Sequence, residues 1–262
     1  MDRVRPKKKL GQHFLRDENI ARKIAKSIMV QPGAAILEIG PGTGILTKQL
    51  LLLPDTNLRV IEVDPESVEF LRKNFSELEG KIIADDFLES DISRIFPGKF
   101  IIAGNFPYNI SSQILFRVIE EKVRVEQVVG MFQKEVAKRI ASPPGNKEYG
   151  ILSVLLQAYY SIEYLFTVNE NVFFPPPKVK SGVIRLVRNK VTRLECNEIL
   201  FKAVVKAAFN QRRKTLRNAL RKLLEEKHAE ASRIPFLDKR AEQLSPDDFI
   251  QLTSVIEGFR EK

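Results

Sequence analysis

A short apolar run over residues 34–39 ends in Glu38-Ile-Gly-Pro-Gly-Thr-Gly44, and a helix-like stretch over 45–53 follows at once. A strand that turns through closely spaced glycines straight into a helix is the opening unit of a parallel α/β sheet. Glycine lets the backbone reverse sharply and lets a bound group approach it closely. The rest of the chain extends the pattern. Strand-like runs are expected at 58–63, 81–84, 100–104, 125–132, 163–168 and 183–187. Helical spacing is expected at 17–29, 66–75, 113–121, 134–140 and 151–160, with Ser111 and Ser112 as caps for 113–121. Strands alternating with helices predict a mostly parallel sheet covered on both faces.

After residue 188 no strand signal remains, and 195–227 and 247–258 read as helices. The expected division is an α/β domain over 1–188, opened by a mobile basic arm over 1–10, and an all-helical domain over 189–262.

Composition narrows the partners. Lysine and arginine number 43 against 33 aspartates and glutamates, a net charge of +10. Such an excess attracts polyanions by counterion release. The charge is clustered at Arg3, Arg5 and Lys7–Lys9, and again at Arg212, Arg213, Lys214, Arg217, Arg221 and Lys222. Two such patches suit a surface that grips a phosphate backbone. The single cysteine, Cys196, excludes a disulfide framework, and with His13 and His228 as the two histidines no metal site is expected. No apolar run is long enough to span a bilayer, so a cytoplasmic protein without membrane contact is expected.

Four strand ends carry candidate chemistry. Gly40, Gly42 and Gly44 form the first turn, with a spacing unlike the dinucleotide fingerprint G-x-G-x-x-G. Glu62 ends the second strand, where a carboxylate can accept both hydroxyls of a ribose. Asp85-Asp86 follows the third strand and can meet an adenine amino group. Asn105-Phe106-Pro107-Tyr108 follows the fourth. There the Asn105 side-chain oxygen and the Phe106 carbonyl can accept the two hydrogens of an exocyclic amine, freeing a lone pair otherwise delocalised into the ring. Pro107 stiffens the turn, and Tyr108 offers a face on which a base can stack.

At this point the chain resembles the small-subunit ribosomal RNA adenine dimethyltransferases, the KsgA family, over essentially its whole length. The matching stretches are Lys9-Leu-Gly-Gln-His-Phe-Leu15, Glu38 to Gly44, Val60 to Asp64, Gly104 to Asn109, Gln133-Lys-Glu-Val136, Tyr149 to Val154, Pro175-Pro-Pro-Lys-Val179 and Ala208-Phe-Asn-Gln-Arg-Arg-Lys-Thr215. The resemblance implies a Rossmann-like S-adenosylmethionine-dependent methyltransferase sheet of seven strands, the last antiparallel, with a small C-terminal helical domain. It implies N6,N6-dimethylation of two adjacent adenosines near the 3′ end of small-subunit rRNA, on a pre-30S-type particle and by a monomer. It implies S-adenosylmethionine contacts at His13, Leu15, Gly40, Glu62, Asp86 and Asn105, to which the glycine turn adds Gly42 and Gly44. Phe173 resembles the aromatic that closes the other face of the target base. Arg212, Arg213, Lys214 and Arg217, on a basic helix over 211–221, are expected to contact RNA.

Three other families fit the residues less well. The Phe209–Thr215 run argues against the related large-subunit rRNA methyltransferases of macrolide resistance. Against a non-catalytic RNA-binding or ribosome-assembly factor, or a mitochondrial transcription-factor relative, intact Glu62, Asn105 and Tyr108 argue for retained catalysis. An NAD-dependent oxidoreductase is disfavoured by the glycine spacing.

Overall fold

A computed structural model of the chain describes residues 4–224 and 233–260. Arg3, His228 and residues 225–227 of the expected helix lie outside the described residues. Contacts divide the chain into two units. The first takes the residues up to Lys138 together with Ser161–Arg188, and the second takes Arg139–Tyr160 and the residues from Asn189 onward.

The apolar runs of the first unit form a seven-stranded sheet among the described residues. Its strands are β1 (Ala34–Ile39), β2 (Thr56–Ile61), β3 (Ile82–Ile83), β4 (Phe100–Asn105), β5 (Val125–Gln133), β6 (Tyr160–Val168) and β7 (Ser181–Arg188). Their order is β3-β2-β1-β4-β5-β7-β6. The pairs from β3 to β5 are parallel, and β7 runs antiparallel to β5. Ile36, Leu37, Val60, Ile102, Val128 and Val129 are fully buried, as strands covered on both faces require. A separate two-stranded ribbon pairs Phe14–Leu15 with Phe173–Phe174, setting Phe14 opposite Phe174 and Leu15 opposite Phe173.

Helix boundaries follow local chemistry where a cap decides them. Asp17 accepts from the backbone of Asn19 and Ile20 and opens the helix Glu18–Lys26, which buries Ala21, Ile24 and Ala25. Asp64 caps the helix Pro65–Asn74, with proline at its first turn. Ser111 and Ser112 do not cap their helix, contrary to expectation. It starts at Ser111, and the Ser111 hydroxyl donates back to the Tyr108 carbonyl at 3.1 Å.

The second unit departs from expectation in two places. Residues 139–160, expected in the α/β domain, pack here with the C-terminal helices. Tyr149 meets the Phe209 ring edge-on at 6.0 Å, and the helix Ile151–Gln157 buries Ser153 to Leu156. The basic stretch after Asn210 is not one helix. The helix Glu198–Asn210 ends there, and short helices Leu216–Ala219 and Arg221–Leu224 follow a turn. The backbone N–H groups of Leu216 and Arg217 donate to the carbonyls of Lys239 and Leu237, each at 2.8 Å, and Thr215 bridges Arg240. Those long-range bonds break the helix that local propensity favours.

Candidate active site

The carboxyl ends of β1, β2 and β4 lie side by side, with Ile39 opposite Ile61 and Glu38 opposite Ala103. The strand order reverses between β1 and β4, and an open α/β sheet leaves a crevice there. Gly40 and Gly42, Glu62, Asp85 and Asp86, and Asn105 to Tyr108 line it, with Leu10 to Phe14 closing one side. The structure therefore brings together the residues expected from four separate strand ends.

The glycine turn needs its glycines. Gly40, Gly42 and Gly44 have φ of +66°, +55° and +78°, a region where a Cβ is strained. A Cβ on Gly42 would also stand 2.8 Å from the Phe14 ring, and one on Gly44 would collide with Phe75. Gly44 does not line the crevice; it is the left-handed residue that starts the helix Ile45–Leu50. Its glycine is demanded by conformation and packing.

Glu62 is 5% exposed. One carboxylate oxygen accepts from the Gly42 N–H at 3.1 Å, the other from the Asp64 N–H at 2.9 Å. Burial pushes its carboxyl up, and those two backbone N–H groups draw it back. Each oxygen keeps a lone pair for a hydroxyl donor. Beneath it Glu38 is 1% exposed, and its Oε2 has no hydrogen-bond partner among the described residues. Burial pushes the Glu38 carboxyl up to about 8; the nearby Thr47 hydroxyl works against this and the Glu62 charge adds to it. After β3 the two aspartates divide the work. Asp85 holds the turn by accepting from the Ser90 hydroxyl and the Asp86 N–H, at 2.6 and 2.8 Å. Asp86 accepts from the Leu88 N–H at 2.8 Å.

The Asn105 amide donates from Nδ2 to the His13 carbonyl at 2.9 Å. A carbonyl only accepts, so the bond fixes which way the amide points. Its Oδ1 carries no hydrogen bond among the described residues. His13 Nδ1–H donates to the Pro175 carbonyl at 2.7 Å, and the His13 ring lies 5.5 Å from that of Tyr108. Tyr108 shares a 2.6 Å hydrogen bond with the Ser181 hydroxyl. Burial pushes its phenol up, partly offset by that serine, so it stands as a neutral ring. The Phe106 ring faces away, packed on Phe132 at 4.9 Å and over Gly104 and Gly130. Only the Phe106 backbone serves the site.

Two expected contacts fall elsewhere. Leu15 is 4% exposed within the core and does not line the crevice. Phe173, expected against the target base, is 3% exposed in the same core; the strand register that buries it turns Phe174 outward. The basic arm, expected to be mobile, is tied down where described. Lys7 pairs with the buried Asp64 and with Glu66, and Gln12 Nε2 donates to Asp64 at 3.1 Å. The Arg5 N–H donates to Glu66 at 2.9 Å, and Val4 is buried. Lys7, Gln12, Asp64 and Ser181 thus support the site unannounced, since each acts through a partner at least fifty residues away in sequence.

The basic turn of the second unit is partly neutralised. Arg212 lies 3.8 Å from Glu242 and donates to the Asn146 carbonyl at 3.3 Å; Arg217 pairs with Asp238 at 3.1 Å. Arg213 and Lys214 are exposed and have no acidic partner among the described residues.

The chain matches the family model for ribosomal RNA adenine dimethylase over residues 3–257. It belongs to the ribosomal RNA adenine dimethylase family. It is 54% identical over 259 residues to a Ribosomal RNA small subunit methyltransferase A of Parabacteroides distasonis, covering 99% of this chain and 97% of that one. A protein of the same name from Flavobacterium johnsoniae is 56% identical over 260 residues, 98% of both chains. Among solved structures, a dimethyladenosine transferase from Plasmodium falciparum is similar with a TM-score of 0.78 and 25% identity, covering 92% of this chain and 96% of that one. The 23S rRNA methyltransferase ErmE shares the fold, with a TM-score of 0.68 and 24% identity over 94% of this chain and 99% of its own.

The dimethylase is an S-adenosylmethionine-dependent enzyme, and the crevice fits that cofactor. A Cβ at Gly42 would crowd its glycine wall against the Phe14 ring, and Glu62, a buried carboxylate at the second strand end, stands where such a group can accept the hydroxyls of a ribose. Asp86 stands beyond it at the third strand end. Leu10 to Phe14 cover the side nearest Asn105.

Proposed function

We infer that this dimethylase modifies two adjacent adenosines near the 3′ end of small-subunit rRNA, acting in the cytoplasm as a monomer on assembling small subunits. The observation that carries the chemistry is the Asn105 amide at the carboxyl end of β4: its Nδ2 donates to the His13 carbonyl, and its Oδ1, without a partner among the described residues, is left to accept in the same crevice as Glu62 and Tyr108. The substrate preference rests on the two small-subunit methyltransferases at more than half identity over nearly the full chain.

When bound, S-adenosylmethionine supplies a methyl group on a sulfonium, an electrophile that needs no metal. Glu62 and Asp86 hold the nucleoside part. Asn105 Oδ1 and the Phe106 carbonyl accept the two hydrogens of the adenine amine and draw the nitrogen toward a tetrahedral geometry. No base has to remove a proton before attack, because the neutral amine is the nucleophile; the proton leaves afterwards. His13 positions Asn105 through its backbone carbonyl and takes no proton. Tyr108 stacks on the extruded base and offsets part of the few kcal/mol that unstacking costs. The second unit, through Arg213 and Lys214 with Arg212 and Arg217, holds the RNA by charge; such contacts position without choosing the base.

Unmodified small subunits incubated with methyl-labelled S-adenosylmethionine test the reading. Label should map to N6 of two neighbouring adenosines near the 3′ end. Small subunits left unlabelled, or labelled only at other nucleotides, would overturn it.

A further inference from the structure

One exposed surface on the crevice rim is not used by that mechanism. Phe174 is 45% exposed, and the Arg16 guanidinium lies 4.2 Å from the centre of its ring. Arg16 has no carboxylate partner among the described residues. The adjacent Asp17 is engaged elsewhere, accepting from the Asn19 and Ile20 N–H groups at 2.8 and 3.1 Å. A planar cation on an exposed aromatic ring, with its own outer face free, is a surface on which an unpaired base stacks.

The segment that carries Phe174 is tied to the crevice at both ends. The Pro175 carbonyl accepts from His13, and the Ser181 hydroxyl meets Tyr108. Phe174 is also the strand partner of Phe14, whose ring edges Gly42. Between the tethers Lys178, Val179 and Lys180 are exposed, and neither lysine has an acidic partner among the described residues. Free positive charge and a stacking plane therefore flank the place where an adenine enters. Extruding that adenine strips the neighbouring nucleotide of a stacking partner, so the neighbour needs a new surface.

We propose that Arg16 and Phe174 form a stacking platform for the nucleotide next to the target adenosine, with Lys178 and Lys180 on its phosphates. The ligand class is a single-stranded RNA segment, and the proposal rests on the RNA-methylating reading above. The platform holds substrate and touches no reacting atom, so its loss acts on KM and spares kcat.

The test compares Phe174→Ala, Phe174→Tyr and Arg16→Gln in steady-state methylation of unmodified small subunits. Phe174→Ala should raise KM for subunits about ten-fold, with Arg16→Gln in the same direction. Turnover at saturation should stay within about two-fold, and S-adenosylmethionine affinity by calorimetry should not move. Phe174→Tyr keeps a ring and should restore KM. Unchanged KM in both truncations overturns the platform, and so does a parallel loss of cofactor affinity, which marks a structural role. A second titration uses a six-residue oligoadenylate RNA carrying 2-aminopurine, whose fluorescence stacking quenches. Wild type should quench it and Phe174→Ala should not. Quenching that persists while subunit KM rises means that the surface meets ribosomal protein, and this also overturns the proposal. If wild type fails to methylate small subunits, the substrate reading fails, while the oligonucleotide titration still decides the platform.

Discussion

The crevice at the carboxyl edge of the sheet and the basic turn after Asn210 both carry polar groups, yet they hold them in opposite ways. In the crevice Glu62 is 5% exposed with both oxygens engaged by backbone N–H groups, and Asn105 is locked by a backbone carbonyl. In the turn Arg213 and Lys214 stand in solvent without partners among the described residues. A buried, oriented group acts at full electrostatic strength on one atom of a ligand. An exposed cation is screened and acts on the field of a polyanion. Changes in the crevice should therefore be large and insensitive to salt, and changes in the turn smaller and dependent on it.

The largest effect is expected at Asn105. Polar groups preorganised toward developing charge contribute roughly 10²–10³ in turnover each. Asn105→Ala should cut single-turnover methylation by about 100-fold or more and leave subunit binding near wild type. A variant that methylates at a near-normal rate removes Asn105 from the chemistry and breaks the contrast at its strongest point. Glu62→Ala comes next. Losing a charged acceptor costs about 1.5–3 kcal/mol of binding, so S-adenosylmethionine affinity by calorimetry should fall by one to two orders of magnitude, equally at low and high salt. Wild-type affinity in a folded variant would show that the ribose is held elsewhere.

The same contrast explains what was legible in the sequence. The crevice is written in local signals. A strand ending in Gly40-Pro-Gly-Thr-Gly44 and one ending in Asn105-Phe-Pro-Tyr108 fix backbone geometry within a few residues, and parallel pairing brings those ends together. Phe173 shows the limit, because the choice between it and Phe174 as the outward ring is made by pairing with Leu15 and Phe14, some 160 residues away. The basic arm is a second case. Its composition reads as a solvated tail, but Lys7 is drawn to Asp64, a buried carboxylate whose position only the folded sheet defines. The turn at Gln211 to Thr215 is a third. Arginine and lysine favour helix locally, and bonds to Lys239 and Leu237 override them. The acids that neutralise Arg212 and Arg217 are distant in sequence for the same reason.

Glu38 sharpens the comparison from the side of stability. Its carboxyl is pushed up to about 8 by burial in the folded chain, against a value near 4.5 when unfolded. Between those two values the unfolded chain releases a proton that the folded chain keeps, so this group makes stability fall as pH rises from 4.5 to 8. The slope is at most about 1.4 kcal/mol per pH unit. Glu38→Gln keeps the shape without the titration and should flatten that part of the profile in urea unfolding followed from pH 5 upward. Identical slopes in the two proteins would mean that Glu38 is ionised in the fold.

The smallest effect belongs to that turn, and its signature is salt dependence. Arg212 and Arg217 are poor probes, since reversing either also breaks an ion pair with Glu242 or Asp238. Arg213 and Lys214 carry no such complication. Each phosphate contact contributes roughly one to the slope of log affinity against log salt. The double reversal Arg213→Glu with Lys214→Glu should flatten the slope for small-subunit binding by about two, weakening binding several-fold at low salt and much less at high salt. Surface pairs contribute little to stability, so the fold should be unaffected, and S-adenosylmethionine affinity should stay at the wild-type value because no residue of the turn lines the crevice. Binding that matches wild type at every salt concentration would leave the turn a solvated surface and move the electrostatic grip to the rim of the crevice, where Lys178 and Lys180 have no acidic partner among the described residues. A uniform loss at all salt concentrations would instead show that the turn recognises shape, and the division between oriented and screened groups would no longer separate the two regions.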